Sequence, residues 1–158
     1  MTSRHIKILL SIGIAVVAGC DPQADHRTLT EVPFVVSPRP TALYVKDSLR
    51  APGPFNQLCV GFPDTYQIFP GSSPNNAGVR RPDGMVIQLS AALIGPQSPP
   101  EVFPFARVDQ GHKSRSACFE ARPARDTRRR YSRVELTASD SVMVFDVRWD
   151  AGKRFGSP

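Results

Sequence analysis

The chain has few of the residues that most often carry catalysis or bind metals. Its 158 residues include three cysteines and three histidines, and His5 and His26 lie close to the N-terminus, which leaves His112 as the one histidine well inside the chain. Cys59 and Cys118 lack the paired spacing of a zinc site. The sequence also contains no phosphate-binding loop, dinucleotide fingerprint, calcium loop or Gly-x-Ser-x-Gly elbow. We therefore predict that the chain is not an enzyme and needs no metal or cofactor.

Long apolar runs are also lacking. The segment Ile8–Val17 is largely apolar but covers ten residues, whereas a helix that spans a bilayer needs about 20. Arg4 and Lys7 precede this segment and small residues follow it. A short apolar run with positive charge before it and small residues after it is typical of a cleaved export signal.

The residues that follow are Val17-Ala18-Gly19-Cys20, which resemble the lipobox of bacterial lipoproteins. The resemblance implies that Cys20 takes a diacylglyceryl group on its thiol and becomes the first residue of the mature chain. The alternative is an ordinary secretory signal or a short N-terminal anchor, with Cys20 present by accident. The odd number of cysteines favours lipidation, because an unpaired cysteine in an exported protein needs an explanation.

Lipidation of Cys20 leaves Cys59 and Cys118 as an even pair. Since exported proteins meet an oxidising compartment, we predict a disulfide between these two residues. The alternative is a pair of buried free thiols.

The location follows from the same segment. Two or three acyl chains attach a protein to a membrane almost permanently. Asp21 resembles the signal that retains lipoproteins of enteric bacteria on the inner membrane. We therefore expect the periplasmic face of the inner membrane, with the outer membrane as the alternative.

The rest of the chain is long enough for one domain. We predict a signal peptide over residues 1–19, a lipidated cysteine with a flexible tether over 20–30, and a single domain over 31–158. Removal of Arg4 and Lys7 with the signal leaves 18 Lys and Arg against 14 Asp and Glu. Sixteen prolines and eleven glycines predict many turns and little helix.

Short alternating segments predict strands. Leu58–Phe62 and Met85–Ala91 alternate apolar and other residues with a period of two. Prolines confine the apolar pieces of Glu31–Pro54 to edge strands or extended segments. We predict further strands over Val102–Val108, with Pro104 placing it at an edge, and around Cys118. The turn-rich segment Phe69–Gly84 predicts a long exposed loop.

The C-terminal part predicts an antiparallel hairpin. One arm contains Val134 and Leu136, and a short polar link leads to a long strand with Met143, Phe145, Val147 and Trp149 on one face. About seven short strands, one disulfide and no helical period favour an all-β fold, namely an immunoglobulin-like antiparallel β-sandwich.

A cluster of arginines predicts a binding surface. It has six members within twelve residues: Arg122, Arg125, Arg128, Arg129, Arg130 and Arg133. Clustered guanidinium groups bind carboxylates or phosphates, so an acidic protein partner or anionic lipid headgroups are the expected ligands, and nucleic acid is not. The alternative is a solvated hairpin loop without a function. The segment Phe69–Gly84 is a second candidate contact surface.

The short sequences around the two cysteines, Leu58-Cys59-Val60 and Ala117-Cys118-Phe119, resemble those of periplasmic immunity lipoproteins associated with type VI secretion. The resemblance implies a β-rich domain that binds and neutralises a toxin. Two alternatives remain open: a structural or assembly factor of an envelope or secretion machine, and a small hydrolase built on His112 with Ser114 and Ser116.

Overall fold

The computed structural model describes residues 25–50, 55–96, 99–110, 115–121 and 130–152, and these form an all-β structure. The strands are β1 Asp25–Thr30, β2 Phe34–Val36, β3 Thr41–Arg50, β4 Phe55–Phe62, β5 Gln67–Pro70, β6 Ala77–Arg80, β7 Val86–Ile94, β8 Glu101–Val102, β9 Phe105–Gln110, β10 Arg115–Ala121, β11 Arg130–Ala138, β12 Val142–Val144 and β13 Asp146–Gly152. The all-β prediction is therefore confirmed.

The strands form two antiparallel sheets and a small ribbon. The five-stranded sheet has the order β1-β13-β4-β10-β9, and the six-stranded sheet has the order β3-β11-β7-β6-β5, with β8 paired to β7. Strands β2 and β12 form the ribbon. Apolar residues of both sheets belong to one buried core, so the two sheets pack as a β-sandwich.

The core explains why these segments become strands. Leu58 and Val60 on β4 and Ile87 and Leu89 on β7 alternate with less apolar residues, and all four are fully buried. Trp149 on β13 is also fully buried, and its Nε1 donates a hydrogen bond of 3.1 Å to the carbonyl oxygen of Arg50 on β3. The indole therefore links the two sheets as well as filling the space between them.

The predicted disulfide is present. Cys59 on β4 lies directly opposite Cys118 on β10, and the sulfur atoms are bonded. In antibody domains the conserved disulfide joins the two sheets, whereas here it joins neighbouring strands of one sheet.

The predicted tether over residues 20–30 is wrong for its second half. Residues 20–24 lie outside the described residues, but Asp25–Thr30 forms β1 and pairs with β13 over most of its length. The segment is polar because β1 is an edge strand whose alternate side chains face solvent. Its stability comes from the pairing, which composition does not reveal.

Two further loop and strand predictions are wrong. Phe69–Gly84 contains the last two residues of β5, which begins at Gln67, and all of β6, in which Ala77 and Val79 are fully buried. Strands of four residues are too short to display a clear period within a turn-rich segment. The strand predicted over Val102–Val108 is interrupted, because β8 ends at Val102 and β9 begins at Phe105.

The predicted C-terminal hairpin is also wrong. Strand β11 belongs to the six-stranded sheet and β13 to the five-stranded sheet, so the chain between them crosses the sandwich. The long strand divides at Phe145, and the buried positions change from Val142 and Val144 to Val147 and Trp149. In a continuous strand every second residue would face the core without interruption, so the chain must bend at Phe145.

Candidate protein-binding face

The outer face of the six-stranded sheet is a broad surface made from all six of its strands. In its central row, Glu135 on β11 lies between Ala42 on β3 and Ala92 on β7, and Ala92 in turn faces Val102 on β8. The two alanines are short, and Val102 is 49% exposed. Short side chains in a row leave a flat surface that a partner can approach closely.

Beside this row lie Tyr44 and Arg133, which are direct neighbours in the ladder between β3 and β11. Tyr44 is 78% exposed. Arg133 is half-buried, and its Nη2 lies 2.8 Å from a carboxylate oxygen of Glu135. The ion pair holds the guanidinium against the sheet next to the tyrosine ring.

A register shift in β3 brings these two residues together. Tyr131 pairs with Leu49 and Arg133 pairs with Tyr44, so a step of two residues along β11 corresponds to five along β3. Arg27 on β1 holds this bulge, because its Nη1 donates a hydrogen bond to the carbonyl oxygen of Asp47. A shallow groove of about 300 Å³ lies between β1 and the bulge, and Tyr44 forms part of its wall.

A second aromatic and arginine pair lies farther along the same face. The guanidinium carbon of Arg80 on β6 is 5.5 Å from the centre of the Phe69 ring, a cation–π geometry. Gly78 permits this arrangement, since the Phe69 ring covers the position that a Cβ would occupy. Arg80 is therefore exposed but held in place by the ring.

The two outer faces of the sandwich carry opposite charge within the described strands. On the six-stranded sheet, Arg80 and Arg133 lie outward next to the buried Val79 and Val134, with Glu135 on the same face. Beyond the register shift, the burial of Leu49 and Tyr131 places Arg50 and Arg130 outward as well. On the five-stranded sheet, Asp109, Glu120, Asp146 and Asp150 face outward against Arg107 and Arg148. We call the first surface the basic face, defined by Tyr44, Phe69, Arg80, Val102 and Arg133 with the residues between them.

The outer face of the five-stranded sheet covers the disulfide with two arginines. Arg148 on β13 reaches across β4 and donates to the hydroxyl of Ser116 at 2.9 Å. Arg107 on β9 reaches across β10 in the opposite direction and donates to Gln57 at 3.2 Å. Cys59 and Cys118 are 3% and 0% exposed although they lie on an outer face. The two side chains therefore separate the disulfide from solvent.

Gly61 provides the space for this arrangement. A Cβ at Gly61 would lie 2.5 Å from Oδ2 of Asp146, because the carboxylate rests on the glycine backbone. Asp146 in turn lies 3.3 Å from Nε of Arg148. The acidic side chain thus orients the arginine that crosses the sheet.

Sequence reasoning missed one titratable pair. Nδ1 of His26 lies 3.0 Å from a carboxylate oxygen of Asp150, across the ladder between β1 and β13. Both side chains are largely exposed. Within the described residues no group of three or more His, Cys, Asp or Glu side chains could hold a metal ion. The pair was missed because His26 was assigned to the tether.

The predicted site residues divide into two sets. Arg130 and Arg133 lie on β11, where Arg130 pairs with Arg50, and Ser116 is a buried partner of Arg148. The remaining predictions lie outside the described residues: Cys20, His112, Ser114, Arg122, Arg125, Arg128 and Arg129. The structure therefore places one part of the arginine cluster on the basic face.

Comparison with known proteins gives no relative. The chain matches no family model, no curated protein and no solved structure. No helix among the described residues is long and apolar enough to cross a membrane.

Proposed function

We propose that this protein is a non-catalytic, lipid-anchored envelope protein that binds an acidic protein partner through the basic face. Neutralisation of a toxin delivered to the periplasm is the specific form that we favour. The observation that carries the proposal is the adjacency of Tyr44 and Arg133 on a flat sheet surface.

Tyrosine and arginine are the residues that protein interfaces use most effectively. Both are enriched among the few residues that supply most of the binding energy. Tyr44 offers a large ring at small entropic cost, since it has two side-chain torsions. Glu135 already restrains Arg133, so binding immobilises little additional side chain.

The charge of the basic face argues for an acidic partner. Four arginines face outward there against one glutamate. Charge of one sign accelerates the encounter with a surface of the opposite sign and disfavours a basic partner. The opposite outer face has a carboxylate excess and lacks this preference.

The anchor is the second part of the proposal. Lipid on Cys20 would hold the domain at the periplasmic face of the inner membrane. The disulfide supports an exported location, because structural disulfides persist in oxidising compartments. Replacement of Cys20 by serine should release the protein from the membrane fraction, and retention of the variant in that fraction would contradict the anchor.

The partner is tested by affinity capture of the full-length protein from gently solubilised membranes, in wild type and in Tyr44→Ala and Arg133→Ala variants. Truncation of a residue that dominates an interface costs at least about 2 kcal/mol, or about 30-fold in affinity. We therefore expect one specific partner that both variants lose. The exposure of Tyr44 predicts a change in folding stability within about 0.5 kcal/mol for that variant.

Glu120→Ala provides the matched control, because Glu120 is an exposed residue on the opposite outer face. The proposal fails if all three variants lose the partner equally or if no specific partner is captured from wild type. The identity of the partner separates a toxin from a component of a secretion machine, and a machine component would favour the role of an assembly factor.

A further inference from the structure

One long side of β3 pairs with no other strand of the described chain, because β3 is the edge of the six-stranded sheet. Near the C-terminal end of β3, side chains of the other sheet close this side. The backbone N–H of Arg50 donates to a carboxylate oxygen of Asp25 at 3.0 Å, and its carbonyl oxygen accepts from Nε1 of Trp149 at 3.1 Å. Arg27 donates to the carbonyl oxygen of Asp47. These caps and the adjacent bulge prevent the addition of a strand there.

The backbone of β11 shows which groups of β3 face this edge. The N–H of Ser139, which follows β11, donates at 2.9 Å to the carbonyl oxygen of Gln88 on β7. The two residues lie opposite each other in the register of β11 and β7. Hydrogen-bonded and non-hydrogen-bonded pairs alternate along an antiparallel ladder. Every second residue before Ser139, including Glu135 and Arg133, therefore directs its backbone groups to β7 and away from β3.

Ala42 and Tyr44 on β3 consequently have unused backbone groups. They lie opposite Glu135 and Arg133. Since those two residues bond to β7, the N–H and C=O groups of Ala42 and Tyr44 point away from β11 and toward the open edge. The described part of the chain gives these four groups no hydrogen-bond partner. Aligned donors and acceptors on the edge of a sheet are a template for an added strand.

The core beside this open edge is incompletely covered. Leu43 and Val45 on β3 and Leu29 on β1 pack against the core but are only partly buried. A groove of about 300 Å³ separates β1 from β3 at this point, and Leu29, Tyr44 and Val45 contribute to its wall. Because Tyr44 also belongs to the basic face, the groove and that face form one continuous surface.

We infer that the partner adds an extended segment to Thr41–Val45 of β3 as a further strand of the sheet. The inference rests on the proposed function and specifies how the partner binds. Side chains of the segment opposite Leu43 lie in the groove and are apolar, whereas those opposite Ala42 and Tyr44 lie on the basic face and are acidic. Main-chain hydrogen bonds supply affinity in this mode of recognition, and the alternating side chains supply specificity.

The probe is a fluorescein-labelled seven-residue peptide in which glutamate and valine alternate. Fluorescence anisotropy measures its binding to the mature chain from residue 20 onward with Cys20→Ser, which keeps every described strand. Two N-methylated peptides are compared, one methylated on all valine nitrogens and the other on all glutamate nitrogens. Since successive residues of a strand direct their N–H groups to opposite edges, we expect one of the two to bind at least about tenfold more weakly. No binding of the unmodified peptide, or equal affinity of the two methylated peptides, would overturn the inference.

Ala42→Pro and Ala42→Ser form the matched pair of protein variants. Proline removes the N–H that faces the open edge, and it is tolerated there because this group has no partner within the sheet. Serine keeps the N–H. We expect Ala42→Pro to bind the unmodified peptide at least about fivefold more weakly and Ala42→Ser to bind it as the wild type does. Equal binding of the two variants contradicts the added strand, and if Ala42→Pro fails to fold, the methylated peptides still decide.

Amide hydrogen exchange measured by NMR locates the bound peptide. The N–H groups of Ala42 and Tyr44 should exchange rapidly in the free protein and slowly in the complex, whereas that of Leu43 bonds to β11 and should exchange slowly in both. Unchanged exchange at Ala42 and Tyr44 would refute the edge as the site. A wild-type dimer that Ala42→Pro dissociates would assign the edge to a second copy of the chain instead. Capture of the partner from membranes uses side-chain variants and no peptide, so failure here is distinguishable from failure of the proposed function.

Discussion

Removal of the Cys59–Cys118 disulfide should cost this domain a large part of its stability. The bond closes a loop with a sequence separation of 59, and the chain-entropy model assigns about 4 kcal/mol to a loop of this length. The cysteines already lie opposite each other in a ladder of seven residue pairs between β4 and β10. The native sheet should therefore persist without the bond, and the effect should arise in the unfolded chain.

Urea unfolding measures this cost, with the fluorescence of Trp149 as the signal. It is the single tryptophan of the chain, and it is fully buried, so its emission reports the opening of the core. We compare the wild type with a Cys59→Ala and Cys118→Ala double variant. The denaturant midpoint should fall, and the slope m should rise, because the unfolded chain without the bond exposes more surface.

Reduced wild type is the control, since it keeps both sulfur atoms and lacks only the bond. The difference between the reduced protein and the double variant isolates the packing of the sulfur atoms. A loss of less than about 1 kcal/mol in the reduced protein, together with an unchanged m, would refute the entropic reasoning.

Two further predictions concern the surface around this bond. Gly61→Ala should lower the free energy of unfolding in urea by about 1–3 kcal/mol, because the added Cβ displaces the Asp146 carboxylate. Combination with Asp146→Ala should recover most of that loss. If the effects of the two substitutions simply add, the contact between Gly61 and Asp146 is contradicted. Replacement of Arg107 and Arg148 by alanine should accelerate reduction of the disulfide by dithiothreitol, since both side chains cover the sulfur atoms. Titration of the released thiols measures the rate of reduction, and an unchanged rate would show that the two arginines do not shield the disulfide.

Local patterns were sufficient for some of the strands. Leu58–Phe62 and Met85–Ala91 alternate because each lies with one face on the core, and alternation within a strand is a property of the chain itself. The prolines of Glu31–Pro54 likewise indicated edge positions, and β3 is indeed at the edge of its sheet. The arginine cluster was visible as a run of charge, but its position on the sandwich was not.

Partners distant in sequence decided the remaining elements. Asp25–Thr30 has no apolar pattern and becomes a strand because β13 supplies its hydrogen bonds. At Phe145 the alternation of buried residues shifts by one position, and β13 then lies beside β4 instead of β11. Neither outcome follows from composition, because the free energy of a short strand comes mainly from its neighbours.

The sequence by itself determined the all-β class, the pairing of Cys59 with Cys118 and the excess of positive charge, since these depend on residue type and short-range order. The tertiary structure alone decided that Tyr44 lies beside Arg133 and that Arg50 pairs with Arg130. Both contacts depend on a register shift of several residues in β3. Register is set by the packing of two whole strands against a common core, and no local segment of the chain contains that information.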